Sequence, residues 1–440
     1  MKTLKNKHGM LALLPFLVFA VFYLGLSLWT GDFYRVPMTV AFLVASAVAI
    51  CMHPPRLLER NVGIFARGMG NENIMIMCLI FILAGAFAAA AQEMGAVDAT
   101  VKIAGSLIPP SLILPGIFIV SCFISLAVGT SCGTIAAMTP IAISMTGKLG
   151  ITPEIMLGCV IGGAMFGDNI SMISDTTIAA TRCLNISMRD KFLSNISFAL
   201  PAAIVSLLIY IVFSLNIISQ AAAFVQTPDW QDIIRTIPYL LILVLALCGL
   251  NVMALLFGAS VVAVIIGILL GNFDFIQALS ILGKGCLNMA ETLFVAILAG
   301  GLLAVVKYYG GVAWMMQKIE SMIKSKIGCE LGTALLVSVV NLFTANNTVS
   351  IVIAGPIAKE LAQKYSCNPK RIASILDASS CILQGVIPYG AQMLIATGIA
   401  NGGGMKVSPV KLIMHCHYQQ ILLAAMLLWI FIRRKNNQNA

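Results

Sequence analysis

Long apolar runs recur along this chain, each bounded by a short polar or Gly/Pro-bearing stretch. They lie near 10–30, 36–52, 73–91, 112–128, 153–170 and 193–215, then near 236–254, 257–270, 288–306, 331–344, 370–386 and 410–432. A membrane-crossing helix needs about 20 mainly apolar residues, so these runs predict spans. Two shorter stretches, about 131–147 and 347–364, each begin at a polar cluster and contain a proline. Interrupted segments of this kind predict broken helices or hairpins that free backbone carbonyls and N–H groups at the membrane midplane. The expected fold class is an all-α polytopic membrane protein of about 12 to 14 membrane segments.

Composition supports that reading. Hydrophobic residues make up 60% of the chain and charged residues 10%, with a mean hydropathy of +0.98. A soluble domain would carry about 25% charged residues. The net charge of +10 does not point to nucleic acid, because the basic residues sit at helix ends and in loops. Met1–Lys7 is basic, but Met10–Trp29 is long enough to span and no small-residue cleavage site follows, so an uncleaved first span is expected. The twelve cysteines are mostly single and lie in apolar runs, as Cys78, Cys122, Cys159 and Cys248 do. With no CxxC or His/Cys spacing they read as small buried hydrophobes.

The chain repeats itself. Ile82–Gly85 recurs as Ile297–Gly300, a displacement of 215 residues at which Asn73 falls on Asn288, Gly95 on Gly310 and Val97 on Val312. Further on, Pro140–Ala142 matches Pro356–Ala358 and Pro153 matches Pro369 at a displacement of 216. The seam falls in the polar connector near 218–235, giving two halves, 1–219 and 220–440. Loop charge swaps between them. Lys2, Lys5, Lys7 and then Arg56, Arg60 and Arg67 read as cytoplasmic, whereas 92–111 holds only Lys102, with Glu93 and Asp98. In the second half 271–287 holds only Lys284, while 307–326 carries Lys307, Lys318, Lys324 and Lys326. Equivalent loops on opposite sides predict inverted-topology repeats, and Arg433–Lys435 returns the C-terminus to the cytoplasm.

The most unusual segment is Gly163–Thr177, which sets Asp168, Asp175, Ser171, Ser174, Thr176 and Thr177 in an apolar stretch. A carboxylate at a membrane-helix centre costs about 2.5–3.5 kcal/mol on insertion scales. Two of them require a cation, water or a proton nearby, unless both only cap helices in an interfacial loop. Polar clusters also open the two short segments: Gly129–Thr134, with Thr130 and Ser131, and Thr344–Ser350, with Asn346, Asn347 and Thr348. The repeat puts Thr130 over Asn346, Ser131 over Asn347 and Asp168 over Gln384. Paired interrupted segments point to a binding site, with interhelical hydrogen bonding as the alternative for each side chain. Asp377 lies mid-span with no acidic counterpart. Glu291 lies at the start of a span, with an interfacial place and a ligand role both open; Glu93 suits a helix end; His415 and His417, one turn into the last span, suit the interface, with a protonation role as the alternative; and Arg182, Arg189, Asp190 and Lys191 read as a charged loop.

Phe166–Gly167–Asp168–Asn169–Ile170–Ser171–Met172–Ile173–Ser174–Asp175–Thr176–Thr177 resembles the F-G-D-x-x-S-x-x-S-D-T-T signature of NhaC-type Na+/H+ antiporters, with Met172 where that family usually has proline. Asp377–Ser380 and Ile387–Tyr389 are similar to its second-half pattern, and the likeness runs over roughly 70–400. The resemblance implies a cation-coupled secondary transporter. Its relatives exchange Na+ and H+, couple malate to lactate, or are proposed to carry amino acids.

The expected protein is a transporter of the bacterial inner membrane, not an enzyme, with both termini cytoplasmic. Na+ would sit at Asp168 and Asp175, with neutral oxygens from Ser171, Ser174, Thr176 and Thr130, since a hard cation takes oxygen ligands. Ser131, Asn346, Asn347, Thr348, Asp377 and Gln384 would bind substrate. No cofactor is expected. The partners are the lipid bilayer, Na+ and H+, with a small organic substrate and a homodimer left open and no nucleic acid. No Walker A pattern is present, which disfavours an ATP-driven pump. The rival classes are an Na+- or H+-coupled importer of an amino acid or small carboxylate, and a passive channel or scaffold.

Overall fold

A computed structural model describes residues 9–30, 36–52, 54–107, 109, 112–172, 174–221, 228–247 and 250–432. Lys2, Lys5, Lys7, Arg433, Arg434, Lys435 and the middle of the polar connector lie outside the described residues. Among the described residues every regular element is helical. The first half holds α1 (Leu14–Thr30), α2 (Met38–Cys51), α3 (Leu58–Met69), α4 (Glu72–Glu93), α5 (Ala96–Leu107), α6 (Ile113–Val128), α7 (Ser131–Leu149), α8 (Pro153–Ile170), α9 (Asp175–Leu184) and α10 (Met188–Ala221). The second holds α11 (Trp230–Leu247), α12 (Val252–Leu269), α13 (Phe275–Leu287), α14 (Ala290–Tyr308), α15 (Gly311–Met322), α16 (Lys326–Thr344), α17 (Asn347–Lys364), α18 (Pro369–Gln384), α19 (Ala391–Gly402), α20 (Pro409–Met414) and α21 (His417–Ile432).

Equivalent boundaries use equivalent chemistry. Pro153 opens α8 and Pro369 opens α18, each in the first helical turn, where the missing N–H has no partner to lose. Left-handed residues close α6 and α16, Gly129 at φ 72° and Ala345 at φ 46°. Alanine pays for that backbone in sterics that glycine avoids, at about 1 kcal/mol. Its carbonyl is held by Gln384 Nε2 at 2.8 Å.

Packing between the halves is reciprocal. α7 packs on α19 and α17 on α9; α4 packs on α13 and α14 on α3. Two of these crossings are glycine seams. A β-carbon added at Gly85 would strike the Gly285 carbonyl oxygen, and one added at Gly285 would strike that of Gly85. Gly68 and Gly300 meet in the same way, each facing the other's carbonyl oxygen.

Among the described residues four stretches, Ile74–Glu93, Pro153–Leu184, Met188–Leu215 and Lys326–Thr344, are long and apolar enough to cross a membrane. α14 and α15, bent by 63°, make a fifth if taken together. The remaining apolar helices are shorter, at 10–17 residues. Several boundaries differ from the hydropathy reading. The stretches read as loops hold the short helices α3, α5, α13 and α15. The run 236–254 is split, because α11 starts at Trp230 and Asn251 caps α12 by accepting from Met253 N at 2.9 Å. The run 410–432 is broken between α20 and α21.

Candidate functional site

The site is built on the break between α8 and α9. α8 ends at Ile170, and Ser174 opens α9 as its N-cap by accepting from Thr177 N at 3.2 Å. Hydroxyls tie the break together. Ser174 Oγ donates to the Asp168 carbonyl at 3.0 Å and lies 3.1 Å from Thr176 Oγ1. Thr177 Oγ1 donates to the Ser171 carbonyl at 2.6 Å, and Ser171 Oγ to Leu126 O at 3.2 Å. The orphan carbonyls of a helix end are met here by side chains, as burial demands.

Asp168, in the last turn of α8, is 3% exposed. Its Oδ2 accepts from Ser131 Oγ of α7 at 2.9 Å and, more distantly, from Asn347 Nδ2 of α17 at 3.4 Å. Ser131 Oγ in turn accepts from Gln392 Nε2 of α19 at 3.0 Å, and Gln392 Oε1 accepts from Gln384 Nε2 of α18 at 2.7 Å. One hydrogen-bonded chain therefore joins the α8 carboxylate to three interrupted elements, with donors from both halves. Oδ1 of Asp168 accepts no hydrogen bond among the described residues.

A second carboxylate lies beside it. Asp377, midway along α18 and fully buried, pairs through Oδ2 with Lys191 Nζ at 2.7 Å and accepts from Asn195 Nδ2 at 2.8 Å. Lys191, on the first turn of α10, is also fully buried. It spends its remaining donors on the Asn169 carbonyl at 2.5 Å and Thr177 Oγ1 at 2.7 Å. The ammonium thus sits at the C-terminal end of α8, where the helix dipole favours a cation. Asp377 Oδ1 is buried without a hydrogen-bond partner.

The structure brings Asp168, Ser131, Asn347, Gln384 and the hydroxyls of Ser171, Ser174 and Thr176 into one region. Asn346 caps α17, its Oδ1 accepting from Val349 N at 2.9 Å, and Thr348 N donates to Asn347 Oδ1 at 3.0 Å. Thr130 is the N-cap residue of α7, with no side-chain cap bond. Asp175 departs from the expectation of two buried aspartates. As the first residue of α9 it is exposed, while Ser174, Thr176 and Thr177 beside it are buried. Lys191 is the residue sequence reasoning missed: it is no part of a charged loop but the counter-ion of Asp377. Glu93 and Glu291 are exposed at helix ends. A cavity of about 190 Å³ reaches the α16–α17 corner, bordered by Asn346, Thr344, Asn71, Lys307 and Tyr389.

A sequence profile of the Na+/H+ antiporter family matches residues 10–215 and 217–430. The Na+/H+ antiporter NhaC of Bacillus subtilis is 25% identical over 402 residues, covering 83% of this chain and 86% of that protein. The malate-2H+/Na+-lactate antiporter of the same organism is 20% identical over 86% of each chain. The arginine/ornithine antiporter ArcD of Halobacterium salinarum is 22% identical over 75% of this chain and 74% of that one.

Proposed function

The chain belongs to the Na+/H+ antiporter family, and on that premise we propose that Asp168 is the carboxylate at which Na+ and H+ exchange. One observation carries the reading: a buried carboxylate at a helix break, held through one oxygen by donors from both halves. Ser131 and Asn347 fix Oδ2 and leave Oδ1 for the cation. Ser171, Ser174, Thr176 and Thr130 lie on the elements that border the break and supply neutral oxygens of the kind a hard cation takes. Na+ and H+ compete for one carboxylate. An unpaired charge in a low-dielectric interior is costly, so the site changes sides only when one cation or the other occupies it. That requirement is the coupling.

The exposed Asp175 stands at the approach to the break and attracts cations toward it. The reciprocal packing of α7 on α19 and α17 on α9 is what a two-fold relation produces. With the swapped loop charges it supports inverted-topology halves, 1–219 and 220–440, both termini on the cytoplasmic side of a bacterial inner membrane. Alternating access is then a rocking of the two halves about the midplane carboxylate.

A second reading adds an organic solute. The 190 Å³ cavity beside Asn346 is lined mainly by apolar groups, with Lys307 at its edge, and two relatives are named for organic exchange. A small carboxylate or amino acid would then travel with the cation.

Asp168→Asn tests the main reading. In proteoliposomes with an imposed Na+ gradient it should move no protons, while folding and inserting normally, since removing a buried charge lowers the insertion cost. Exchange surviving at more than a tenth of the normal rate would exclude Asp168 as the site.

A further inference from the structure

We infer that Lys191 is a fixed counter-cation that sets how many charges the site must bind before it can cross the membrane. The inference rests on the reading of Asp168 as the exchange carboxylate. The buried region holds two carboxylates, Asp168 and Asp377, and one ammonium, Lys191. Asp175 is exposed, so it is not among the charges enclosed with the site. The empty site therefore carries one net negative charge. One monovalent cation neutralises it, whether Na+ on Asp168 or a proton on Asp168.

The geometry ties Lys191 to Asp377 and not to Asp168. Lys191 Nζ donates to Thr177 Oγ1 and to the Asn169 carbonyl and lies 2.7 Å from Asp377 Oδ2. It makes no hydrogen bond to Asp168 among the described residues, so the ammonium does not hold the oxygen that Na+ would take. Asn195 Nδ2 supports the same carboxylate oxygen at 2.8 Å. Asp377 Oδ1 has no hydrogen bond, so the ammonium is the charge that balances this carboxylate. Lys191 stays paired with Asp377, and Asp168 alone alternates between Na+ and H+. Exchange is then one for one, and no net charge moves with the loaded site in either direction.

The charge balance can be tilted and restored. Asp377→Asn leaves Asp168 and Lys191, an empty site of zero net charge. Such a site returns without a cation, whereas Na+ or a proton on Asp168 leaves it with one net positive charge, so both Na+ and proton movement should be lost. The double variant Lys191→Met with Asp377→Asn again has one net negative charge, and one-for-one coupling should return at whatever rate.

The experiment is radiolabelled Na+ flux in proteoliposomes, with the pH gradient and the membrane potential imposed separately. Wild type should hold a tenfold Na+ gradient against about one pH unit, the two being equal free energies of about 1.4 kcal/mol, and a diffusion potential should leave that balance unmoved. Asp377→Asn should carry neither Na+ nor protons across, and the double variant should restore both. A purely structural ion pair predicts that single and double variants fail alike. A lysine that itself carries the transported proton predicts that the double variant loses proton exchange altogether. Either result overturns the inference, as does a wild-type balance point that shifts with potential or an Asp377→Asn protein as tightly coupled as wild type. If Asp377→Asn does not fold, the double variant and the wild-type potential measurement decide. Exchange surviving in Asp168→Asn would instead remove the underlying site assignment, whatever Lys191 does.

Discussion

Ser131→Ala deletes one hydroxyl and leaves the helix turn its shape. Ser131 is 2% exposed, donates to Asp168 Oδ2 at 2.9 Å and accepts from Gln392 Nε2 at 3.0 Å. The bond to the carboxylate is charge-assisted and contributes about 1.5–3 kcal/mol, and the stranded Gln392 amide costs about 1–3 kcal/mol more. The second effect burdens loaded and empty protein alike and falls on stability. The first frees the carboxylate to turn and falls on cation binding. At about 1.4 kcal/mol per tenfold, Na+ KM should rise about 10- to 100-fold. The assay is Na+-dependent proton movement in proteoliposomes across a range of Na+ concentrations, with Ser131→Thr as the variant that keeps the hydroxyl. Alanine with a KM within twofold of wild type would show that the Ser131–Asp168 bond does not organise the cation site.

Asp175→Asn should retain exchange. An exposed carboxylate attracts a monovalent cation by at most about 1 kcal/mol in water, so Na+ KM should rise about 2- to 5-fold at low ionic strength, and the difference should vanish in about 1 M choline chloride. Complete loss of exchange would instead make Asp175 a ligand in its own right. Arg371→Lys should destabilise the protein by about 1–3 kcal/mol, read as thermal unfolding in detergent, because lysine cannot form the fork or the stack. Arg371 grips Glu330 through Nε at 2.6 Å and Nη2 at 2.8 Å and lies 3.8 Å over the Trp429 ring. An unchanged melting temperature would mean that this α16–α18–α21 clasp is slack.

Much of this was legible in the sequence. The apolar runs located the long helices, and the polar clusters at Gly129–Thr134 and Thr344–Ser350 marked the starts of α7 and α17. The repeat displacement pointed from Asp168 to Gln384, which the structure links through Gln392 and Ser131. Lys191 was hidden by its neighbours. In Arg189–Asp190–Lys191 successive side chains point about 100° apart around a helix. Asp190 therefore faces outward to Lys370 at 2.8 Å while Lys191 faces the core. A charge run averages these directions away, and only the rotation of α10 separates them. Asp175 was misplaced for a similar reason: apolar surroundings in sequence suggested burial, but on the first turn of α9 Asp175 faces out while Thr176 and Thr177 face in. The partly polar helices α3, α5, α13 and α15 escaped notice because window hydropathy does not separate them from loops.

The glycine seams carry a consequence for how this protein tolerates change. Where a bulky residue packs on a small one, a gain of volume on one side is commonly relieved by a loss on the other. Gly85 against Gly285, and Gly68 against Gly300, have already reached the minimum on both sides. No second substitution can give back the space a first one takes. These four positions admit neither enlargement nor compensation, so the separation of α4 from α13 and of α3 from α14 is fixed by the absence of side chains, and drift elsewhere in the apolar surface leaves it untouched.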